Sequence, residues 1–303
     1  MEALMQEVEG NDDTGTRSDK SWGFEEGDEL APGRYVMKLL GGGRRYEAYL
    51  VHDEQLLSLT VVKILRPSRV SDRGALDGLM SEYRTLQSLN HPVIARGFDA
   101  VLAGERPHLV LEFLDGPRLS TLIRRHGPLP LEQLIPLAVQ LSSAVHYMHR
   151  RSFVHLDVKP SNIIMGAPPR LIDMSIARTF EEASVLDVPV GTDAYMAPEQ
   201  CDPRPGNVGP GADVWGIGVT LYEALTGSLP FPTKGDGAGY PQLESSPEPF
   251  DARLPRPVTS LIESCLEFRS SDRPSASELA NSLEPLVAIL PRKPVLSRFR
   301  PRM

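Results

Sequence analysis

The residues best suited to chemistry lie in the ten-residue block Phe153–Asn162. His155, Asp157, Lys159 and Asn162 place an imidazole, a carboxylate, an ammonium and an amide close together in the chain. These four types at these offsets would occur by chance in roughly two of a thousand chains of this length, at about 1 in 20 per position. Carboxylate and amide oxygens are ligands that Mg²⁺ prefers, and lysine supplies positive charge. The block is therefore suited to binding an anionic group and catalysing a reaction on it.

Further motifs precede and follow this block at fixed distances. Asp173 lies sixteen residues after Asp157, and Glu82 follows Lys63 by nineteen. The other motifs are a glycine run, an Ala-Pro-Glu triplet and an Asp-x-Trp motif, namely Gly41-Gly42-Gly43, Ala197-Pro198-Glu199 and Ala212-Asp213-Val214-Trp215. Taken together and in this order, the motifs resemble those of a bacterial eukaryotic-type (Hanks-type) serine/threonine protein kinase.

The resemblance implies a serine/threonine protein kinase, an ATP-dependent phosphotransferase. Asp157 would be the catalytic base that accepts or orients the hydroxyl proton of the substrate, and Lys159 would bring positive charge to the γ-phosphoryl group. Thr192 would hydrogen-bond toward both and shape the site for serine or threonine. Lys63 would hold the α- and β-phosphates, with an ion pair to Glu82 that keeps the buried lysine charged.

The cofactors implied are ATP and Mg²⁺, or Mn²⁺ in its place, with Asn162 and Asp173 as the metal ligands. The nucleotide-binding residues implied by the resemblance are Leu40, Gly41, Gly43, Ala48, Val61, Lys63, Glu112, Leu114 and Ile164. In the family, a valine and an alanine form the roof over adenine. By the resemblance, Ala48 stands at the valine position and Val61 at the alanine position. The exchange conserves volume and indicates that the adenine slot is still used.

Three departures from the family pattern bear on activity. Tyr46 replaces the third glycine of the loop, whose tip carries Arg44-Arg45, and these arginines either lend charge to the phosphates or point into solvent. Leu156 replaces the arginine that meets a phosphate on the activation loop, so activation-loop phosphorylation should not be obligatory. The segment Asp173-Met174-Ser175 replaces Asp-Phe-Gly, and we expect it to flip less readily into an inactive arrangement.

Two other functions remain as alternatives. The first is a pseudokinase-like scaffold that binds nucleotide without phosphotransfer, and the second is a small-molecule kinase of related fold. His146 and His149 share a helix face, but no third metal ligand is evident. His155 is expected to be a packed structural histidine. By the resemblance, Glu199 and Arg273 form a buried ion pair.

Protein substrates with serine or threonine acceptors are the expected partners, and autophosphorylation is a further expectation. The candidate acceptors are Thr179, Ser184 and Thr192 in the activation segment, and Thr14, Thr16 and Ser18 near the start of the chain. Glu181 and Glu182 either supply fixed negative charge to that segment or are solvated loop acids.

The elements that must position these residues follow from periodicity and from the resemblance, which covers about residues 33–290. The implied fold class is α+β, a bilobal protein-kinase fold with a β-rich N-lobe (33–114) containing one main helix and a mainly α-helical C-lobe (117–290). The predicted strands are Arg34–Leu40, Tyr46–Val51, Ser58–Leu65, Phe98–Leu102 and His108–Leu114. The predicted helices are Leu76–Leu89, Leu131–Arg150, Trp215–Thr226, Val258–Phe268 and Ala276–Leu290. The stretch between Pro230 and Pro257 is predicted to be a surface excursion.

Composition excludes several classes of protein. The 303 residues carry 40 acids, 32 bases and a net charge of −8, which argues against binding to a nucleic-acid backbone by bulk charge. The two cysteines form no C-x-x-C motif, and no apolar stretch is long enough for a membrane span. Because the chain also begins without a signal-peptide pattern, we expect a cytoplasmic protein.

Charge is unevenly distributed at the two ends of the sequence. Residues 1–29 are strongly acidic and are predicted to be a disordered arm, whereas residues 291–303 form a basic tail. Either the arm is a docking segment, with the basic tail as one candidate partner, or both ends are solvated tails.

Overall fold

The computed structural model describes residues 20–231 and 239–288. They form two compact units. The first contains the described residues up to Gly116 together with Ile172–Ala177, and the second contains Pro117–Leu171 and the described residues from Arg178 onward. The predicted C-lobe, 117–290, includes Ile172–Ala177, whereas this segment belongs to the first unit of the structure.

The first unit is a six-stranded antiparallel sheet with one long helix, and the sheet has the strand order β1-β2-β3-β4-β6-β5. Its elements are β1 (Glu29–Ala31), β2 (Arg34–Gly42), β3 (Tyr46–Asp53), β4 (Ser58–Leu65), α1 (Arg73–Ser88), β5 (Gly97–Val101) and β6 (His108–Glu112). The five predicted strands are confirmed, and β1 is an additional short edge strand. Helix α1 begins three residues earlier than predicted because the Asp72 side chain accepts a hydrogen bond from Ala75 N and caps it.

The two faces of this sheet carry different residues. Ala48 pairs with Lys63, and Val61 pairs with Leu111, so these side chains lie on one face. The opposite face is a buried apolar cluster, formed by Leu30, Ala31, Val36, Tyr49, Val51, Val62, Ile64 and Val110. One face therefore stabilises the unit, which leaves the other for the candidate site.

The segment before β1 is packed against the apolar face. Trp22 and Phe24 stack with ring centroids 5.8 Å apart and lie against the apolar cluster. Trp22 Nε1 also donates to Leu65 O at 2.8 Å. The prediction of a disordered arm over residues 1–29 is therefore wrong for the described part, 20–29, because two aromatic rings bury enough apolar surface to order it. Residues 1–19 lie outside the described residues, as does the basic tail 291–303.

The second unit is mainly helical. Its helices are α2 (Leu119–His126), α3 (Leu131–Arg150), α4 (Phe180–Ser184), α5 (Pro198–Cys201), α6 (Pro210–Thr226), α7 (Arg256–Cys265) and α8 (Ala276–Ala288). The four helices predicted in this region are confirmed, with changed bounds for α6 and α7; the last two residues predicted for α8, 289 and 290, lie outside the described residues. Helix α6 is buried on nearly every side, as its continuous apolar sequence predicts.

Four two-residue strands bracket the Asp157 block and the Asp173 segment. They are β7 (Phe153–Val154), β8 (Ile163–Ile164), β9 (Arg170–Leu171) and β10 (Arg178–Thr179). Strand β7 pairs with β10, and β8 pairs with β9, both antiparallel. The residues between β7 and β8 are therefore held at both ends by backbone hydrogen bonds.

The stretch from Pro230 to Pro257 is only partly described, since residues 232–238 lie outside the described part of the chain. It is not wholly a surface excursion, because Gln242 is 2% exposed. As to membranes, no helix in residues 20–231 or 239–288 combines the length and the apolar character that a bilayer crossing requires.

Candidate active site

The first group of candidate site residues lies within the β-rich unit. Lys63 on β4 donates from Nζ to both carboxylate oxygens of Glu82 on α1, at 2.9 and 2.8 Å. The same Nζ donates to Asp173 Oδ1 at 2.9 Å. Glu82 is 1% exposed, so this ion pair is shielded from solvent. The predicted pairing of Lys63 with Glu82 is present, and the structure adds Asp173 to it.

The electrostatics of this group keep the lysine charged. Burial alone would lower the pKa of Lys63, but the charges of Asp173 and Glu82 outweigh burial and raise its pKa above the ordinary value. Burial raises the pKa of the Glu82 carboxyl, and the Lys63 ammonium opposes that shift. Two carboxylates around one ammonium thus keep the Lys63 side chain protonated.

The second group surrounds Asp157 in the helical unit. Asp157 Oδ1 accepts a hydrogen bond from Thr192 Oγ1 at 2.7 Å. Asp157 Oδ2 accepts from Asn162 Nδ2 at 2.9 Å and lies 2.8 Å from Lys159 Nζ. Lys159 Nζ also donates to Thr192 Oγ1. The structure therefore brings together four predicted residues from two segments that are thirty positions apart.

The backbone of the Asp157 block is held by a buried carboxylate on α6. Asp213 accepts hydrogen bonds from the backbone N–H groups of His155, at 2.9 Å, and of Leu156, at 2.8 Å. Leu156 adopts φ +66°, a conformation that costs a branched side chain free energy and persists only where its surroundings impose it. Asp213 supplies that constraint, a role that the Asp-x-Trp motif alone does not predict.

Histidine side chains near this block make structural contacts. His149 Nε2 forms a hydrogen bond with Asp213 Oδ2 at 2.9 Å, so this histidine contacts the carboxylate that holds the Asp157 block. Burial would raise the pKa of Asp213, but the His149 hydrogen bond and charge help to hold it below the ordinary value. His155 is buried and its Nδ1 accepts from Asp157 N at 3.2 Å, as expected of a packed histidine. In the described part of the chain no group of three or more His, Cys, Asp or Glu side chains could hold a metal ion.

The segment that carries Thr192 is fixed by two glutamines that were not among the predicted site residues. Gln200 Nε2 donates to Leu156 O at 2.9 Å and to Val190 O at 2.8 Å. Gln242 Nε2 donates to Asp193 O at 2.7 Å and to Met196 O at 3.0 Å. Both side chains are buried, yet an isolated glutamine in a loop sequence gives no signal of burial.

The predicted activation segment is also held by an ion pair at Glu199 and by a local helix cap at Thr179. Glu199 binds Arg273 with Oε1–Nη1 and Oε2–Nη2 distances of 2.6 and 2.8 Å, so the expected buried ion pair is present. Thr179 caps α4 and forms a reciprocal capping box with Glu182. Glu182 thus has a local capping role, and the hydroxyl of Thr179 is already hydrogen-bonded.

The predicted nucleotide-binding residues lie in both units. Leu40 and Gly41 lie on β2, Gly43 lies in the turn after it, Ala48 lies on β3, Val61 on β4 and Glu112 on β6, with Leu114 just beyond. Ile164 lies on β8 of the helical unit. Glu112 N donates to Arg96 O at 2.9 Å, so this backbone N–H is already paired within the β-rich unit. Arg44 and Arg45 are both exposed at the tip of the turn.

Comparisons with known proteins agree with this arrangement of motifs. PkaA of Streptomyces coelicolor, a serine/threonine-protein kinase, is 35% identical over 232 residues, which are 73% of this chain and 42% of that protein. PknB of Mycobacterium tuberculosis is 32% identical over 234 residues, 73% of this chain and 37% of PknB. The kinase pkn2 of Myxococcus xanthus is 32% identical over 269 residues, 83% and 32% of the two chains. This chain therefore spans less than half the length of these relatives.

The family comparison covers both groups of site residues. The protein kinase domain matches residues 35–283, which include Lys63, Glu82, Asp157 and Asp173. The relatives described above all bear the name serine/threonine-protein kinase and all come from bacteria. The chain belongs to the protein kinase family, and its resemblance to the bacterial serine/threonine kinases is confirmed.

Proposed function

We propose that this chain transfers the γ-phosphate of ATP to serine or threonine hydroxyls of proteins. The observation that carries the proposal is the Asp157 carboxylate, which holds the Thr192 hydroxyl at 2.7 Å with the Lys159 ammonium beside it. A carboxylate that orients a hydroxyl next to a fixed positive charge is what transfer of an anionic phosphoryl group to an alcohol requires. Because the Asp157 carboxylate already binds the aliphatic hydroxyl of Thr192, this contact supports a serine or threonine hydroxyl as the acceptor.

Each residue has a distinct task in this proposal. Asp157 orients the acceptor hydroxyl and takes its proton, and Lys159 offsets charge on the transferring group. Lys63 binds the phosphates of the nucleotide, and Glu82 keeps its ammonium in place. Because phosphoryl transfer has a loose transition state, positioning and charge neutralisation supply most of the rate enhancement.

Each of the two proposed metal ligands, taken by itself, suits a divalent cation of the Mg²⁺ type. Asn162 commits its amide nitrogen to Asp157, so its amide oxygen is the atom that can face a cation. Asp173 adds a partly exposed carboxylate, and both oxygens are hard ligands. Mg²⁺ is usually held by one or two such groups together with substrate phosphates, and when bound it neutralises phosphate charge. Mn²⁺ accepts the same ligands.

We also propose that phosphorylation of the activation segment is not required for activity. Leu156, in place of the family's arginine, is buried and cannot bind a phosphate. The segment is ordered instead by hydrogen bonds from the side-chain amides of Gln200 and Gln242 and by the ion pair of the Glu199 carboxylate. None of these contacts uses a phosphate group, which supports the proposal.

Lys63→Met tests the proposed reaction. We expect phosphate incorporation from γ-labelled ATP into a basic protein acceptor to fall by at least about a hundredfold, because methionine has similar length but no charge for the phosphates. Lys38→Met, at an exposed lysine on β2, is the matched control and should keep the parent rate. The proteins are treated with phosphatase and repurified first, and the parent should remain active.

Three results would contradict these proposals. ATP binding without incorporation by the parent chain would favour the pseudokinase scaffold. Incorporation only into a small-molecule acceptor would favour the small-molecule kinase. Activity lost on dephosphorylation would show that a phosphate is required, and mapping of modified residues would then test Thr179 and Ser184 as its sites.

Gln242→Ala tests how the segment after Thr192 is positioned. Loss of the two hydrogen bonds to Asp193 O and Met196 O should lower kcat/KM for a protein acceptor about tenfold, while the KM for ATP stays unchanged. Steady-state kinetics with each substrate varied separately provide the measurement. Gln87→Ala, which removes one exposed hydrogen bond to Gly97 O, is the control and should change neither constant. An equal change in both KM values would refute the positioning role.

A further inference from the structure

Tyr46 occupies an unusual position in the β-rich unit. It replaces the third glycine of the loop and begins β3, two residues before Ala48 on the same face of the sheet. Its ring lies over the Lys63 ammonium, with Nζ 4.8 Å from the ring centroid. This distance allows a cation–π interaction, which is stronger where the cation is shielded from water.

The ammonium of Lys63 is already surrounded by other groups. It has three N–H donors, and three carboxylate oxygens lie within 2.9 Å of it, two from Glu82 and one from Asp173. The Tyr46 ring covers a further side. A phosphate oxygen that approaches Lys63 must therefore displace the ring or take the place of a carboxylate oxygen.

The structure provides space for the ring and fixes the backbone that carries it. A Cβ added to Gly78 on α1 would lie 3.3 Å from Tyr46 Oη, so the helix has a glycine where the ring approaches. The turn before Tyr46 is closed by a hydrogen bond from Gly43 N to Tyr46 O at 2.9 Å. Arg66 bonds to Gly43 O and to Glu47 Oε1, which fixes the turn from outside. With the backbone fixed, the ring can leave Lys63 only by rotation of its own side chain.

We propose that Tyr46 is a displaceable cover on Lys63 that sets the affinity for the phosphates of a nucleotide. The ring and the phosphates compete for the same ammonium, so Tyr46 weakens the binding of ATP and ADP but not of adenosine. This inference rests on the proposed function, since it takes Lys63 as the phosphate-binding lysine. Burial raises the pKa of Tyr46, so the ring that covers the ammonium is the neutral phenol.

Titration calorimetry of the full chain with adenosine, ADP and ATP in the presence of Mg²⁺ tests the proposal. Tyr46→Ala removes the ring, and we expect it to tighten ATP and ADP binding about tenfold, which is the loss of one shielded cation–π contact. Adenosine affinity should change less than about twofold, because adenosine has no phosphate to compete. Tyr46→Phe keeps the ring and is the matched control, with affinities within about twofold of the parent for all three ligands.

The outcomes separate this inference from the proposed function. Unchanged or weaker ATP binding by Tyr46→Ala would overturn the inference, and so would an equal gain for adenosine. Neither result would affect the kinase proposal if phosphate transfer persists. Conversely, the expected selective gain in a chain that transfers no phosphate would support the cover and refute the kinase. A chain that binds none of the three ligands would overturn both.

Discussion

Asp157→Asn is expected to reduce phosphate transfer by about 10²- to 10⁴-fold while ATP binding is retained. Asparagine has almost the same shape, but it cannot accept a proton at neutral pH and carries no charge to balance Lys159. One of its side-chain atoms becomes an N–H donor that faces the donors of Lys159, Asn162 or Thr192. The substitution thus removes the proton acceptor and also weakens the contacts that orient it.

Asp202→Asn is the matched control for this prediction. Asp202 is exposed and pairs with Arg204 at 2.9 Å on the surface of the same unit, so its loss should leave the rate unchanged. Calorimetry with ATP and a γ-labelled transfer assay are run on both variants. If Asp157→Asn kept more than a tenth of the parent rate, Asp157 would not be the base, and the site would have to be assigned again.

The motifs around Asp157 could be predicted from the sequence because they are short and their residue types are unusual together. His155, Asp157, Lys159 and Asn162 lie within eight positions, so their proximity follows from chain geometry alone. The long strands and helices could be predicted for a related reason. Over eight or more residues, apolar periodicity gives a clear signal even when one position departs from the pattern.

Contacts between distant segments could not be predicted in this way. Strands β7 to β10 have two residues each, too short for any period to appear. Gln242 reaches Asp193 O across 49 positions, and nothing in its neighbours marks it as buried. The position of Tyr46 over Lys63 depends on strand register, which is fixed by the folded sheet.

The acidic arm shows how composition can mislead. Residues 1–29 are strongly acidic, and this mean charge predicts disorder for the whole segment. The prediction gave no weight to the two aromatic residues near the end of the segment. Trp22 and Phe24 nevertheless pack against the sheet, and Arg106 lies over both rings. Two large rings can order a short acidic segment because burial is decided by local apolar area.

Arg273→Met is expected to destabilise the helical unit by about 3–5 kcal/mol, the range for removal of one partner from a buried ion pair. All five N–H donors of Arg273 are used, by Glu199 and by the backbone carbonyls of Gly211, Glu267 and Phe268. Methionine would leave a buried carboxylate and three carbonyls without those donors. For a unit of this size the melting temperature should fall by roughly 6–20 °C, measured by differential scanning fluorimetry.

Arg253→Met controls for the loss of an arginine in itself. Arg253 pairs with Asp251 on the surface and is almost fully exposed, so its replacement should change the melting temperature by less than about 2 °C. A fall for Arg273→Met that is no larger than this would show that the buried pair contributes nothing to stability.

The double variant Glu199→Gln with Arg273→Met identifies which lost contact causes the fall in stability of Arg273→Met. If most of it is the cost of an unpaired buried carboxylate, neutralising Glu199 should restore part of the melting temperature, because glutamine carries no charge to desolvate. If the loss comes from the three carbonyls and from the guanidinium over the Trp215 ring, the double variant should be no more stable than Arg273→Met alone. We expect partial recovery, since a buried charge without a partner costs more than an unpaired neutral carbonyl. The melting temperature of Arg273→Lys should then be close to that of Arg273→Met, because one ammonium cannot replace five donors held in a plane.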